Sequence, residues 1–282
     1  MRKYLSLVKF SHTIFAMPFA LIGFFLAARS NEFEWILLLY VVLCMIFARS
    51  AAMAFNRYID RDIDAANSRT AQVREIPNGS IKANSALIFV IINSLLFIST
   101  TYLINSLCLA LSPIALLVIL GYSYTKRFTA LCHLILGLGL ALAPIGAYLA
   151  VSGEFNIIPL LFSAAVLFWV SGFDIIYSLQ DEKFDKEQKL HSIPVLIGTR
   201  NALNLSKILH FLTFSTLSIA GSFGDFSFYY WIGFGIFTTL LIYQHLLVKH
   251  NDLSKINLAF FTTNGIASII FGAFVIFEIL FH

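Results

Sequence analysis

Charge is what this sequence has least of. Asp, Glu, Lys and Arg make up 12% of its 282 residues, against 59% hydrophobic residues and a mean hydropathy of +0.84. A soluble domain carries about 25% charged residues, so this chain cannot cover a water-facing surface. Cysteine is nearly missing as well. Cys44, Cys108 and Cys132 lie within or beside apolar stretches without paired spacing, which excludes a disulfide framework and a zinc site. No low-complexity segment and no basic tail is present, so nucleic acid is not an expected partner. Period-two alternation is absent too, which excludes the strands of an outer-membrane barrel.

What the sequence does have is long uncharged runs: Phe10–Ala28, Phe128–Gly153, Phe155–Phe173, Phe226–Val248 and Ile256–Phe277. Each meets or approaches the roughly 20 apolar residues that a membrane-spanning helix needs. Ala83–Thr125 is too long for one span and turns near Asn105-Ser106 or at Ser112-Pro113. The reading is an all-α polytopic membrane protein forming a single domain over 1–282. It has nine expected helices at 10–28, 35–57, 84–104, 108–125, 131–151, 157–180, 203–221, 227–248 and 257–280. The start, Met1–Ser30, imitates a signal peptide, but its apolar run is long for one.

Nine helices place all of the 19 Lys and Arg on one face except Arg29, on the other, and Arg49, inside the second helix. The positive-inside rule makes that face cytoplasmic. The expected location is therefore the cytoplasmic (inner) membrane, with the lipid bilayer as a partner.

Acidic residues are scarce, and two groups of them stand out. Asn56-Arg57-Tyr58-Ile59-Asp60-Arg61-Asp62-Ile63-Asp64 ends the second helix, and Asp174 with Asp181-Glu182-Lys183-Phe184-Asp185 ends the sixth. At about 100° per residue, a spacing of four stacks side chains on one helix face. Asn56, Asp60 and Asp64 form one oxygen-bearing stripe, with Asp62 pointing elsewhere. Asp174, Ser178, Asp181 and Asp185 form a second. Like charges at this spacing repel, and a Mg²⁺ that bridges carboxylates to a substrate phosphate would relieve them. Solvated loop charges paired with Arg and Lys would explain one such group. Two on one membrane face, with Asp174 a turn inside the boundary, point to function. Tyr122 and Lys126 at the end of the fourth helix, with Arg127, Arg69, Arg74, Lys189 and Arg200, supply groups that would neutralise a diphosphate. Lys126 and Arg127 also read as plain positive-inside anchors.

These residues resemble the UbiA superfamily of intramembrane prenyltransferases. Its first motif matches at Asn56, Asp60 and Asp64, its second at Asp181 and Asp185, and a Tyr-x-x-x-Lys motif at Tyr122 and Lys126. Asn67-Ser-Arg69-Thr70-Ala71, Arg74-Glu-Ile-Pro77-Asn-Gly79 and the entry segment from His12 to Pro18 are similar as well. Two positions depart from the pattern. Arg57 stands where the family usually has its first Asp, and Ser11 where many relatives have Glu. Arg57 would contact diphosphate, or pair with Asp60 or Asp64. The run Ala48–Arg57, with Trp169–Tyr177 and Ile256–Gly265, resembles the enzymes of the futalosine route to menaquinone, which are 4-hydroxybenzoate polyprenyltransferase-like.

The resemblance implies nine helices around a central cavity with a cytoplasmic cap, and a Mg²⁺-dependent transfer of a polyprenyl group from polyprenyl diphosphate to an aromatic acid. Asp60, Asp64, Asp181 and Asp185 would hold metal, supported by Asn56. Lys126, Tyr122, Arg69, Arg74, Lys189 and Arg57 would face the diphosphate. Arg49, mid-helix, would bind the acceptor's carboxylate or pair with Asp174 or another acid. His12 would approach the aromatic ring or diphosphate, or serve structure alone. Other readings are a secondary transporter, whose acids usually sit near the midplane, and other branches of the superfamily (haem, chlorophyll or lipid prenylation).

Overall fold

In a computed structural model, which describes residues 2–8 and 15–281, the described residues are mostly helical, with no β-strand among them. A short α1 (Arg2–Leu7) precedes α2 (Met17–Ala28), α3 (Trp35–Ile59), a short α4 (Arg61–Ala66), α5 (Ala83–Ile104) and α6 (Ser106–Thr125). Next come α7 (Cys132–Ser152), α8 (Ile157–Ser178), a short α9 (Glu182–Glu187), α10 (Ile193–Phe223), α11 (Phe228–Leu247) and α12 (Asn264–Phe281). Seven helical stretches are long and apolar enough to cross a membrane, namely α3, α5, α6, α7, α8, α11 and α12 with the turn before it. The chain is an integral membrane protein.

The other two expected helices appear as α2, which is 12 residues long, and α10, which runs from 193 rather than 203. Residues 10–14 of the first expected helix lie outside the described residues. In α10 the backbone breaks at Gly198 (φ 78°, ψ 159°), a conformation that only glycine adopts easily. The turn between α5 and α6 falls at Asn105, not at Pro113, which sits inside α6. Asn105 caps α6 by accepting from the Cys108 amide at 2.8 Å, and its Nδ2 donates to the Leu149 carbonyl at 2.9 Å. A polar residue is thus satisfied on both sides where the chain reverses.

Apolar side chains gain little by leaving lipid for a protein interior, so these helices need close packing. α8 supplies the centre, packed most heavily on α7 and α10, while α2 lies on α7 and α12. Trp169, Phe162, Phe19, Phe237, Phe271 and Tyr230 are fully buried there. At Gly23 the backbone of α2 meets α7 so closely that an added Cβ would lie 2.0 Å from the Pro144 carbonyl oxygen. Gly23→Ala is therefore expected to cost about 1–3 kcal/mol of stability, as overpacking does. Thermal unfolding in detergent, read beside Gly146→Ala, where nothing lies within 4 Å, checks it. Equal melting of the two variants would refute it.

A buried polar knot interrupts the aromatic centre. Trp169 Nε1 donates to Asn264 Oδ1 at 2.9 Å, and Gln244 Nε2 donates to the same oxygen at 2.5 Å. Asn264 returns a bond from Nδ2 to the Phe260 carbonyl at 2.9 Å. The knot anchors a π-helical turn, Leu258–Thr263, where the sequence pattern predicts plain α-helix. Such turns are rare and often mark functional sites. This one presents Phe260 and Phe261 to the interior cavity.

Candidate active site

Two cavities lie inside the bundle. One, of about 490 Å³, is lined by both acidic groups and by basic residues. The other, of about 370 Å³, is almost wholly apolar, between α3, α5, α6 and α7. They share Arg49, Met53, Tyr122, Leu136 and Leu140. Both volumes fall in the range of small-molecule sites.

The first acidic group keeps its stripe although the helix breaks in it. α3 ends at Ile59 and α4 begins at Arg61, but the Asp64 amide still bonds the Asp60 carbonyl at 2.7 Å. Asn56, Asp60 and Asp64 consequently all face the polar cavity, while the Asp62 side chain is 87% exposed. Asn56 Nδ2 donates to Asp60 Oδ2 at 3.0 Å. Asp60 also pairs with Lys126 at 2.8 Å and Arg127 at 3.0 Å. Arg127 thereby pairs with the first acidic group from outside the cavity wall, where the sequence also allowed a membrane anchor. Arg57 is buried and donates to Asn56 Oδ1 at 2.8 Å, so it meets Asp60 through the amide and not by direct contact. Asp64 lies beyond Arg74, 4.0 Å from its Nε, and Thr70 Oγ1 holds the Asp64 carbonyl at 2.8 Å. Burial pushes the Asp64 carboxyl above the usual carboxylate range, and Arg57 works against that shift.

The second group descends from α8 through a tight turn, Leu179–Asp181, into α9, and Asp174, Ser178, Asp181 and Asp185 all line the cavity. The loop after α3 reaches across to it. Asn67 Nδ2 and Arg69 Nε both donate to Asp181 Oδ1 at 3.1 Å, and Arg69 also forms a close ion pair with Oδ2. Burial opposes the charge on Arg69, but the bonds to Asp181 outweigh it and raise the guanidinium above its ordinary value. These contacts join segments more than a hundred residues apart. Lys189 does not join them. It sits in a positive-φ turn after α9, exposed and outside the cavity wall. His12 lies outside the described residues.

Of the two open readings of Arg49, pairing with Asp174 is not what the structure has. Asp174 Oδ2 is held by His133 Nδ1 at 2.7 Å. Arg49 makes no ion pair or side-chain hydrogen bond among the described residues, and its Nε is buried without a partner. His133 gave no signal in the sequence, because its partner sits 41 residues away on another helix. Phe15, Phe173, Tyr177, Phe260 and Phe261 form an aromatic wall of the cavity; they fall in the stretches 12–18, 169–177 and 256–265 that resemble the family, but nothing in the sequence brings them to one wall.

The donor set fits a hard cation. Asp60, Asp64, Asp181, Asp185 and Asn56 offer only oxygen ligands, and Asp64 Oδ2 is buried with no hydrogen-bond partner. No three His, Cys, Asp or Glu converge tightly enough to encage an ion among the described residues. Mg²⁺ takes oxygen ligands, keeps several waters and commonly completes its shell with substrate phosphate oxygens.

Comparison with known proteins bears on the family and the fold. The model of the UbiA prenyltransferase family matches residues 16–266. A 4-hydroxybenzoate octaprenyltransferase of Thiobacillus denitrificans is 28% identical over 90% of this chain and 86% of its own length. The apo structure of a UbiA homolog from Aeropyrum pernix K1 superimposes with a TM-score of 0.86 at 30% identity, covering 95% of this chain and 98% of that one. A UbiA homolog from Archaeoglobus fulgidus, solved bound to DMAPP and Mg²⁺, shares the fold with a TM-score of 0.75 at 21% identity, covering 99% and 100%.

Proposed function

The chain belongs to the UbiA prenyltransferase family, and on that premise we propose that it transfers a polyprenyl group from a polyprenyl diphosphate to an aromatic acid of the 4-hydroxybenzoate or dihydroxynaphthoate type, in quinone synthesis. The whole chain acts as one domain of nine spans, capped by the loops after α3 and α8 on the cytoplasmic side of the inner membrane. The observation that carries the reading is the pair of cavities. A cavity lined by carboxylates and guanidinium groups shares a wall with an apolar one, as a substrate with a charged head and a hydrocarbon tail requires.

The tail lies in the apolar cavity and the diphosphate between the two acidic groups. Asp60, Asp64, Asp181 and Asp185, with Asn56, would hold Mg²⁺, which would supply charge stabilisation for the departing diphosphate. Lys126, Arg69, Arg74 and Arg57 neutralise its remaining oxygens, and Tyr122 donates a hydrogen bond. Departure of the diphosphate leaves an allylic cation, which the aromatic faces of Phe173 and Phe260 stabilise and which an electron-rich ring carbon attacks. Closure of the loops around Asn67, Arg69 and Asp181 keeps out water that would capture the cation. Arg49 binds the acceptor's carboxylate. The subgroup motifs, with Arg57 in the first, favour a dihydroxynaphthoate acceptor on the way to menaquinone.

Membranes containing the protein, supplied with radiolabelled polyprenyl diphosphate, Mg²⁺ and a panel of aromatic acids, test this. A prenylated product should form with at least one acid, disappear with EDTA and return with added Mg²⁺. Absence of product with every acid, or activity indifferent to EDTA, would overturn it. Use of 4-hydroxybenzoate with dihydroxynaphthoates ignored would overturn the subgroup alone.

A further inference from the structure

Carbon–carbon bond formation on an aromatic ring creates a problem that the diphosphate site does not solve. When the ring carbon joins C1 of the prenyl group, that carbon still carries its hydrogen, and the ring is a cation. The C–H bond must break, its electron pair returning to the ring and its proton passing to a base. In a cavity that excludes water, the candidates are a side chain and the departed diphosphate, and the oxygens of the diphosphate are already taken up by Lys126, Arg69, Arg74 and Arg57 in the reading above.

Most carboxylates of the polar cavity are committed elsewhere. Asp60 is neutralised by Lys126 and Arg127, Asp64 faces Arg74, and Asp181 is locked to Arg69 and Asn67. Asp185, on α9 beside the turn that carries Asp181, is assigned to the metal in the reading above. Asp174 differs in three respects. Unlike Asp60, Asp64 and Asp181 it makes no ion pair with Lys or Arg among the described residues, and unlike Asp185 it has the His133 ring as its partner. His133 Nε2 faces the Ile193 backbone N–H at 3.3 Å and accepts from it. That contact leaves the ring proton on Nδ1, where it is donated to Asp174 Oδ2 at 2.7 Å. Finally, the Asp174 side chain is 21% exposed and His133 only 4%, so the carboxylate opens on the cavity with the imidazole behind it. Oδ1 has no hydrogen-bond partner among the described residues.

Arg49, Tyr122, His133 and Asp174 all line the polar cavity. An aromatic acid held through its carboxylate by Arg49 therefore presents its ring to the cavity on which Asp174 opens.

We propose that Asp174 is the base that takes the ring proton, and that His133 positions it. This rests on the prenyl-transfer reading above. Asp174 receives the proton through Oδ1 and becomes a neutral acid, while His133 keeps its Nδ1–H bond to Oδ2. The prenylated acid leaves with its carboxylate, the diphosphate departs, and Asp174 returns the proton to water in the reopened cavity. Elements and charge balance without any further reactant.

The test uses the full-length protein in membranes with a ring-deuterated acceptor. Asp174→Asn should lower kcat by about 10²–10⁴-fold, the usual contribution of a general base, with KM for the prenyl diphosphate unchanged. Proton loss then limits the rate, so the isotope effect on kcat should rise above the wild-type value. His133→Ala should show the same isotope signature with a smaller loss, and His133→Asn, which keeps an N–H donor to Asp174, should recover most of it. An Asp174→Asn variant within about threefold of wild type, an unchanged isotope effect, or His133→Asn no better than His133→Ala would overturn the assignment. If Asp174→Asn fails to fold, the two His133 variants carry the same isotope readout. A wild-type protein that prenylates no acid sinks the reaction itself, whereas an active one with indifferent variants sinks only the base.

Discussion

Asp181→Ala is expected to reduce prenyl transfer by at least about 10³-fold while the protein stays folded, assayed as labelled product in Mg²⁺-containing membranes. Two losses combine. One is the oxygen proposed to hold the metal, and removal of a single preorganised electrostatic contact costs about 10²–10³-fold in comparable sites. The other is the tie between the loops, since Asn67, Arg69 and Asp181 link the segment after α3 to the turn after α8. Arg69→Ala separates the two. It cuts the ion pair and leaves the carboxylate, so its loss should be markedly smaller, and raised Mg²⁺ should not restore either variant fully. An Asp181→Ala protein with more than a tenth of wild-type activity would remove this residue from the metal site.

Asp60→Ala is a less clean experiment, for a reason only the structure supplies. Asp60 is 3% exposed and neutralises both Lys126 and Arg127. Truncating one partner of a buried charge cluster typically costs about 3–5 kcal/mol of stability, so inactivity there mixes lost chemistry with lost folding. Asp181 pairs with Arg69 at the cavity mouth, where both side chains are partly exposed, and misfolding is a smaller concern.

The same contrast measures what could be read from sequence. Helices and acidic stripes were legible because both follow from local periodicity. Uncharged runs set the spans, and a spacing of four placed Asn56, Asp60 and Asp64 on one face even across the break at Asp60. What escaped depends on contacts between distant segments. His133 meets Asp174 from a different helix, and Asn67 meets Asp181 across 114 residues. Neither leaves a pattern in either segment. The π-turn at Leu258–Thr263 was invisible for a related reason: its anchor, Asn264, is satisfied by Trp169 and Gln244 from α8 and α11. Asn67 and Arg127 were singled out by the sequence, but their partners, Asp181 and Asp60, are set only by the fold.

Arg49 is where function and stability should move in opposite directions. An intramembrane guanidinium is costly, and this one has a buried Nε without a partner and like charge nearby in Arg57. The unliganded protein gains nothing from it. Arg49→Met keeps an unbranched chain in the wall shared by the two cavities and is expected to raise the melting temperature in detergent, as replacement of uncompensated buried charge by apolar groups does. Against an aromatic acid, kcat/KM should fall about 30- to 1,000-fold, from the roughly 2–5 kcal/mol lost when one partner of a buried charge pair is truncated. KM for the polyprenyl diphosphate should hardly change. A neutral phenol lacking the carboxylate should react equally, if poorly, with both proteins. If KM for the diphosphate rises instead, Arg49 serves the leaving group. If the melting temperature falls and the acid's kcat/KM stays within twofold of wild type, Arg49 is a packing residue, and acceptor recognition has to be sought elsewhere along the Tyr122 and Asp174 wall.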